Sequence, residues 1–253
     1  IVSGNSPVIG NVLSLLYSSK TLISDVGGLF EFEMSILVLL LIFNELYYNT
    51  MMRKFIFLLL FIVSSEIYAN IIKVTILGSG TPRVSFERFS QSILIEHKED
   101  KYLFDAGRGA LIRLYQSNVL PNEIKNIFFT HLHSDHVLGF SDILMTGWVY
   151  HRDSPLKIYG PEGTQNFVDS MLKAYQDDIN VRSQAPENLD IAGLQTNVKT
   201  IYDGFSYQNN GLTIESFAVK HEPFTHAFGF KIYNRKYCIV ISGDTTYSDT
   251  VIK

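Results

Sequence analysis

Thr130-His131-Leu132-His133-Ser134-Asp135-His136 places three histidines and one aspartate in six positions, directly behind the apolar run Ile127-Phe128-Phe129. Histidine is scarce here, 7 of 253 residues. A chance H-x-H-x-D-H is expected on the order of once per 10³–10⁴ such sequences, so a plain polar turn is a poor account of the stretch. Neutral imidazoles and a carboxylate are good ligands for a borderline divalent cation. On an extended chain positions 131 and 133 point the same way, so both can grip one ion. Asp135 and His136 lie past the strand, where a turn can swing them to a second ion. The stretch reads as a metal site at a strand end.

Outward from it, the chain alternates short apolar runs with helical patterns. Before it, Ile71–Leu77, Ser92–Glu96 and Tyr102–Phe104 read as strands, and Gly78, Gly80 and Pro82 break the chain after the first. Asp105-Ala106-Gly107 closes the third and leads into a helix over Ala110–Tyr115, and Pro121 opens a short helical turn. Asn126–Thr130 is the strand that carries the motif. After it, Ser141–Trp148 predicts a helix and Lys157–Tyr159 a strand. A second helix opens at Thr164 or Gln165, with Phe167, Met171, Leu172 and Tyr175 at helical spacing. Residues 178–195 are polar, contain Pro186 and Gly193, and read as a loop. Val198–Tyr202, Leu212–Val219, Phe228–Tyr233 and Tyr237–Ser242 follow as strands. Strands with helices between them predict a layered α/β domain.

The N-terminus has a different character. Residues 51–69 run Met-Met-Arg-Lys, then nine apolar residues Phe55–Val63, then a short segment ending at Ala69. That is the layout of a secretory signal, and the apolar run is too short for a membrane span of about 20 residues. Cleavage after Ala69 predicts a periplasmic or secreted chain, with no stable membrane span once the signal is gone. A membrane anchor pairing Ile36–Phe43 with Phe55–Val63 is the rival. Residues 1–50 begin with Ile1 and show no sustained periodicity; they are expected to lie outside the native fold. The domain organisation expected is therefore an upstream segment 1–50, a signal 51–69 and a layered α/β domain 70–253 that carries the metal motif.

The net charge of −4 offers no global attraction for nucleic acid. The lone Cys238 lies in the apolar run Tyr237–Ile241 and reads as a packed core thiol. His97 and His151 read as solvated loop residues, and Gly78-Ser79-Gly80-Thr81 as a tight turn, since it lacks the Lys-Ser/Thr of a phosphate loop.

The motif resembles the signature of the metallo-β-lactamase-fold hydrolases, nearest to the branch holding ribonuclease Z and the zinc arylsulfatases. Leu77-Gly78-Ser79-Gly80-Thr81-Pro82, Phe104-Asp105-Ala106-Gly107, Tyr159-Gly160-Pro161-Glu162-Gly163-Thr164, Val219-Lys220-His221 and Ser242-Gly243-Asp244-Thr245 resemble its other blocks, in order. The resemblance runs from about residue 71 to the end. It implies a four-layer αββα sandwich with metals held at one edge by loops. It implies that His131, His133 and His221 hold a first metal, Asp135 and His136 a second, and that Asp244 bridges both. Alone, His221 and Asp244 would read as ordinary turn residues. Asp105 is expected to brace the metal loop. His226 stands where this branch more often has proline and is expected at the rim. The family draws one more histidine from beyond Asp244; nine residues follow it here, none of them histidine. A C-terminally incomplete fold and a weakened second site, with low activity, are therefore expected.

Two adjacent divalent ions imply a hydrolase using activated water, with Asp135 taking its proton. Zinc is the default for this N/O donor set, with manganese or iron as alternatives. His133 at the third motif position resembles the hydrolytic members; the redox di-iron members are acidic there. The leading expectation is a small-molecule ester substrate: phosphodiester, sulfate ester or lactone. The alternative is a ribonuclease Z-like tRNA 3′-processing endonuclease. Against it stand the expected export and residues 176–196, where Asp177, Asp178, Glu187 and Asp190 face Arg182 alone. A non-catalytic metal-dependent binding protein is a third class, disfavoured by the full ligand set. The oligomeric state is open, a homodimer included.

Overall fold

The computed structural model describes residues 54–58 and 71–252. Residues 54–58 are helical and belong to a unit separate from Ser65–Lys253, described below. The remainder of the expected signal and the upstream segment 1–50 lie outside the described residues. Among the described residues, no helix is long and apolar enough to cross a membrane.

Six strands form the first sheet in sequence order: β1 (Ile72–Gly78), β2 (Ser92–His97), β3 (Asp100–Phe104), β4 (Asn126–Phe128), β5 (Leu156–Gly160) and β6 (Thr196–Thr200). The first two pairings are antiparallel and the last three parallel. Parallel neighbours need crossovers. These are α1 (Ala110–Gln116), the short α2 (Ser134–Val137) with α3 (Phe140–Val149), and α4 (Thr164–Ala174) with α5 (Gln176–Arg182). The second sheet is antiparallel, ordered β10 (Cys238–Ile241), β9 (Phe228–Tyr233), β8 (Leu212–Ala218) and β7 (Ser206–Asn209).

Alternation along the strands builds two cores. Leu94, Leu103, Ile127 and Ile158 face the helices and pack with Leu114, Ile143, Leu144, Trp148 and Val168. Ile95, Tyr102, Phe104, Phe128 and Tyr159 face the other way and meet Leu212, Ile214, Phe230, Ile232 and Ile241 of the second sheet. The expected layered sandwich is thus present as helices, sheet and sheet. The short α6 (Asp249–Ile252) is tied to the end of β8, where Thr250 Oγ1 donates to the Ala218 carbonyl at 2.7 Å.

Four readings need correction. The loop expected over 178–195 contains most of α5 and a 3-10 turn, Ile191–Leu194. Arg182 offsets the acidic first turn of α5 by pairing with Asp178 and Glu187. Strand β7 was not expected because Ser206–Asn209 has no apolar run. Side chains pin it instead, Asn209 Nδ2 donating to Asp100 Oδ2 at 2.7 Å and to Tyr102 Oη at 3.0 Å. Cys238 is exposed, because strand alternation on edge strand β10 turns it outward. His97 is buried at the end of β2, and its Nδ1 meets the Ile71 carbonyl at 3.0 Å.

Candidate metal centre

The parallel strands β3 and β4 end side by side, and their carboxyl ends start the site. Asp105 follows β3 with φ of 57°, a left-handed conformation uncommon for a residue with a side chain. That turn aims its carboxylate at the segment leaving β4: Oδ1 accepts from the Thr130 N–H at 2.8 Å and Oδ2 from Thr130 Oγ1 at 2.9 Å. His133 is extended and precedes α2. The second sheet joins at the same edge, where the Phe228 N–H donates to the Thr130 carbonyl at 2.9 Å. His221 comes from just beyond β8 and Asp244 from just beyond β10. Gly243, at φ of 61°, lets the chain turn there. A Cβ would sit 2.8 Å from the Phe228 carbonyl and 3.1 Å from Thr130 Cβ.

All six expected ligands converge at this edge, five of them in two groups. His131 Nε2 and His221 Nε2 lie 2.9 and 3.0 Å from His133 Nδ1. The second group is His131, His136 and Asp244, with His136 Nε2 3.5 Å from Asp244 Oδ1. Asp135 stands outside both groups, its Oδ2 3.8 Å from His136 Nε2. His131 thus belongs to both clusters, a sharing the resemblance did not imply.

Hydrogen bonding selects the tautomers. Thr130 Oγ1 gives its hydrogen to Asp105, so toward His131 Nδ1, 3.0 Å away, it accepts. His131 therefore carries its proton on Nδ1 and offers the Nε2 lone pair to the cluster. His136 Nδ1 donates to Asp105 Oδ2 at 2.7 Å, which likewise aims Nε2 at Asp135 and Asp244. One carboxylate orients two imidazoles, one directly and one through Thr130, as outer partners of metal-binding histidines do. The bracing expected of Asp105 is found; the relay through Thr130 carried no sequence signal beyond its place in the motif.

The electrostatics ask for a cation. Burial pushes the His131 imidazole down to about 3, helped by His136 and His221, so it is a neutral donor. Burial opposes charge on His136 as well, yet hydrogen bonds to Asp105 and Asp244 outweigh it and raise the imidazole to about 10. Positive charge is therefore favoured where Nε2 meets two carboxylates, and a metal ion can supply it in place of the proton. The His136 hydrogen bond holds Asp244 below the usual carboxylate range. Burial pushes the Asp105 carboxyl upward, and the bonds from His136 and Thr130 pull it back. The first group also fits by size: zinc–nitrogen bonds of about 2.0–2.1 Å imply tetrahedral nitrogen edges of about 3.3 Å, slightly wider than the contacts here.

The model of the anti-Pycsar protein Apyc1 family matches residues 72–253. The chain belongs to the anti-Pycsar protein Apyc1 family. This member resembles ribonuclease Z of Mycobacterium sp. (strain KMS), 32% identical over 176 residues, covering 69% of this chain and 61% of that protein. Ribonuclease Z of Mycolicibacterium gilvum (strain PYR-GCK) is 35% identical over 177 residues, covering 69% and 62%. The chain therefore spans about three fifths of the length of these curated relatives. Among solved structures, human tRNase Z, short form, superposes with a TM-score of 0.56 at 24% identity, covering 69% of each chain. The Bacillus subtilis metallo-β-lactamase fold protein YhfI gives 0.53 at 17%, covering 71% and 65%. The Apyc1-family chain thus has the metallo-β-lactamase fold and is similar in sequence to ribonuclease Z.

Proposed function

We propose that this chain is a metal-dependent phosphodiesterase. The observation that carries the reading is the convergence of four imidazoles and the Asp135 and Asp244 carboxylates on one sheet edge. In it His131, His133 and His221 would hold one divalent ion, and Asp135, His136 and Asp244 would supply ligands for a second. When bound, two such ions, zinc by donor type, supply a water acidic enough to lose a proton near neutral pH and positive charge beside the attacked group. Asp135 is buried with its carboxylate facing the cluster at His136 Nε2, where it would be placed to accept a proton. Asp105 and Thr130 hold the imidazoles in their donor tautomers throughout.

Of the ester classes the sequence admits, the relatives named ribonuclease Z favour the phosphodiester, and with it the RNA-cleaving reading over small sulfate esters or lactones. The family's name adds an anti-Pycsar role as the proposed setting. The test is turnover by the zinc-loaded full chain of bis(p-nitrophenyl) phosphate, p-nitrophenyl sulfate and a precursor tRNA. Diester hydrolysis that chelation and Asp135→Ala both abolish is expected, with no sulfate release. Sulfate turnover without diester turnover, or diester turnover that survives chelation, overturns the reading.

A further inference from the structure

Strand β8 runs past the end of its neighbour β7, whose Ser206 pairs with Glu215. Along a strand, alternate residues turn their backbone groups to the same side. On the β9 side the Val219 N–H donates to the Ala227 carbonyl at 3.0 Å. On the other side, among the described residues, no strand reaches Ala218 and Lys220, and their backbone groups are met one at a time. The Ala218 N–H donates to Asp203 Oδ1 at 2.9 Å, and its carbonyl accepts from Thr250 Oγ1 at 2.7 Å. The Lys220 carbonyl, whose peptide bond leads into His221, accepts from the Thr246 N–H at 2.8 Å and from Thr246 Oγ1 at 3.3 Å. Having given its hydrogen away, Thr250 Oγ1 accepts from the hydroxyl of the buried Ser248, 2.7 Å away.

We propose that Thr246 and Thr250 are positioning residues: they strap the segment that carries Asp244 along the end of β8 and so set the place of His221 relative to Asp244. The proposal rests on the metal reading of this edge. The Asp244 loop has two anchors. Before Asp244, Gly243 fits against the Phe228 carbonyl and Thr130, where a Cβ would crowd both. After it, Thr246 bonds the peptide that precedes His221. A ligand from the end of β8 and one from the end of β10 are thereby joined directly, and not only through β9, which separates the two strands. Stability does not require the strap. Both threonines are exposed, so water can serve the Ala218 and Lys220 carbonyls in their absence, and the net contribution of such bonds is small. What water cannot supply is a fixed spacing between two chain segments.

The test loads the full chain with cobalt(II) and records its visible absorption bands, with zinc affinity read by chelator competition. Thr246→Val/Thr250→Val removes both hydroxyls at constant shape. It is expected to shift the cobalt bands and to weaken zinc binding about tenfold, the low end of what loss of an outer partner does. Thr246→Ser/Thr250→Ser returns the hydroxyls and should restore both readouts. Asn209→Ala, which unclips β7 at the far end of the same sheet, is the control: it should lower the unfolding midpoint and leave both readouts at the parent's values. Should the valine pair fail to fold, Thr250→Val alone carries the test and should weaken zinc at least threefold. Unchanged bands and affinity in a folded valine variant, no restoration by serine, or an equal response to Asn209→Ala overturns the strap. A parent that takes up no cobalt overturns the strap together with the metal reading. A parent that binds cobalt and responds as expected, yet hydrolyses no diester, keeps the strap and loses the proposed activity.

Discussion

At the residue scale the site turns on Asp105, which touches neither Nε2 that faces the cluster. Its three hydrogen bonds decide which nitrogen of His131 and of His136 keeps its proton. Asp105→Asn keeps the shape and loses the charge, and its amide NH₂ now meets a donor. Loss of such an outer partner lowers metal affinity by about 10–100-fold, and that is the fall expected in a chelator competition. Thr130→Val severs only the branch to His131 and should weaken binding less than Asp105→Asn. Equal losses would mean that the direct bond to His136 contributes nothing. The motif histidines were legible because four ligand-type residues so close together are rare. Thr130 and Thr246 were not, since a hydroxyl relay and a strap between two loops depend on neighbours brought together only by folding.

At the element scale, strand β4 is short, yet it carries the motif, so its packing sets the position of the site. Phe128 stacks on Tyr159 at 4.5 Å and Phe104 at 5.1 Å and meets Phe230 edge-on at 5.6 Å, joining the two sheets. Phe128→Ala should destabilise the fold by about 3–5 kcal/mol in denaturant titration. Arg152 is the other buried tie. Its guanidinium donates to the carbonyls of Leu144, Gly193, Pro121 and Ile143, and burial lowers it to about 10. Arg152→Met removes the guanidinium from those carbonyls and should cost about 3 kcal/mol or more. The strands with apolar runs and the helix with Phe167, Met171 and Leu172 on one face were legible, because periodicity reports burial directly. Strand β7 and helix α5 were not. The first is held by Asn209 and its partners, and the second sits in a stretch whose Pro186 and Gly193 suggested a loop.

At the scale of the whole molecule, two sheets meet along one edge, and neither alone makes the site. The first contributes Asp105 and the segment 130–136; the second contributes His221 and Asp244. Composition chose only a layered α/β class, and the pairing of these particular edges rests on contacts distant in sequence, such as that of Phe228 with Thr130. The export proposed from residues 51–69 stands apart from this architecture. Expressed from Met51 in a bacterium, the chain should be cut after Ala69, which mass spectrometry of the periplasmic fraction reads directly; an intact N-terminus retained in the membrane favours the anchor.

The central claim is a metal centre in which His131, His133 and His221 hold one ion beside a second group of Asp135, His136 and Asp244. The most direct measurement is elemental analysis of the full chain after zinc loading and desalting, comparing the parent with His131→Ala and His221→Ala. Retention of zinc by the parent chain, and loss of one equivalent with either His131→Ala or His221→Ala, are predicted. A His131→Ala protein that is folded and binds as much zinc as its parent contradicts the account.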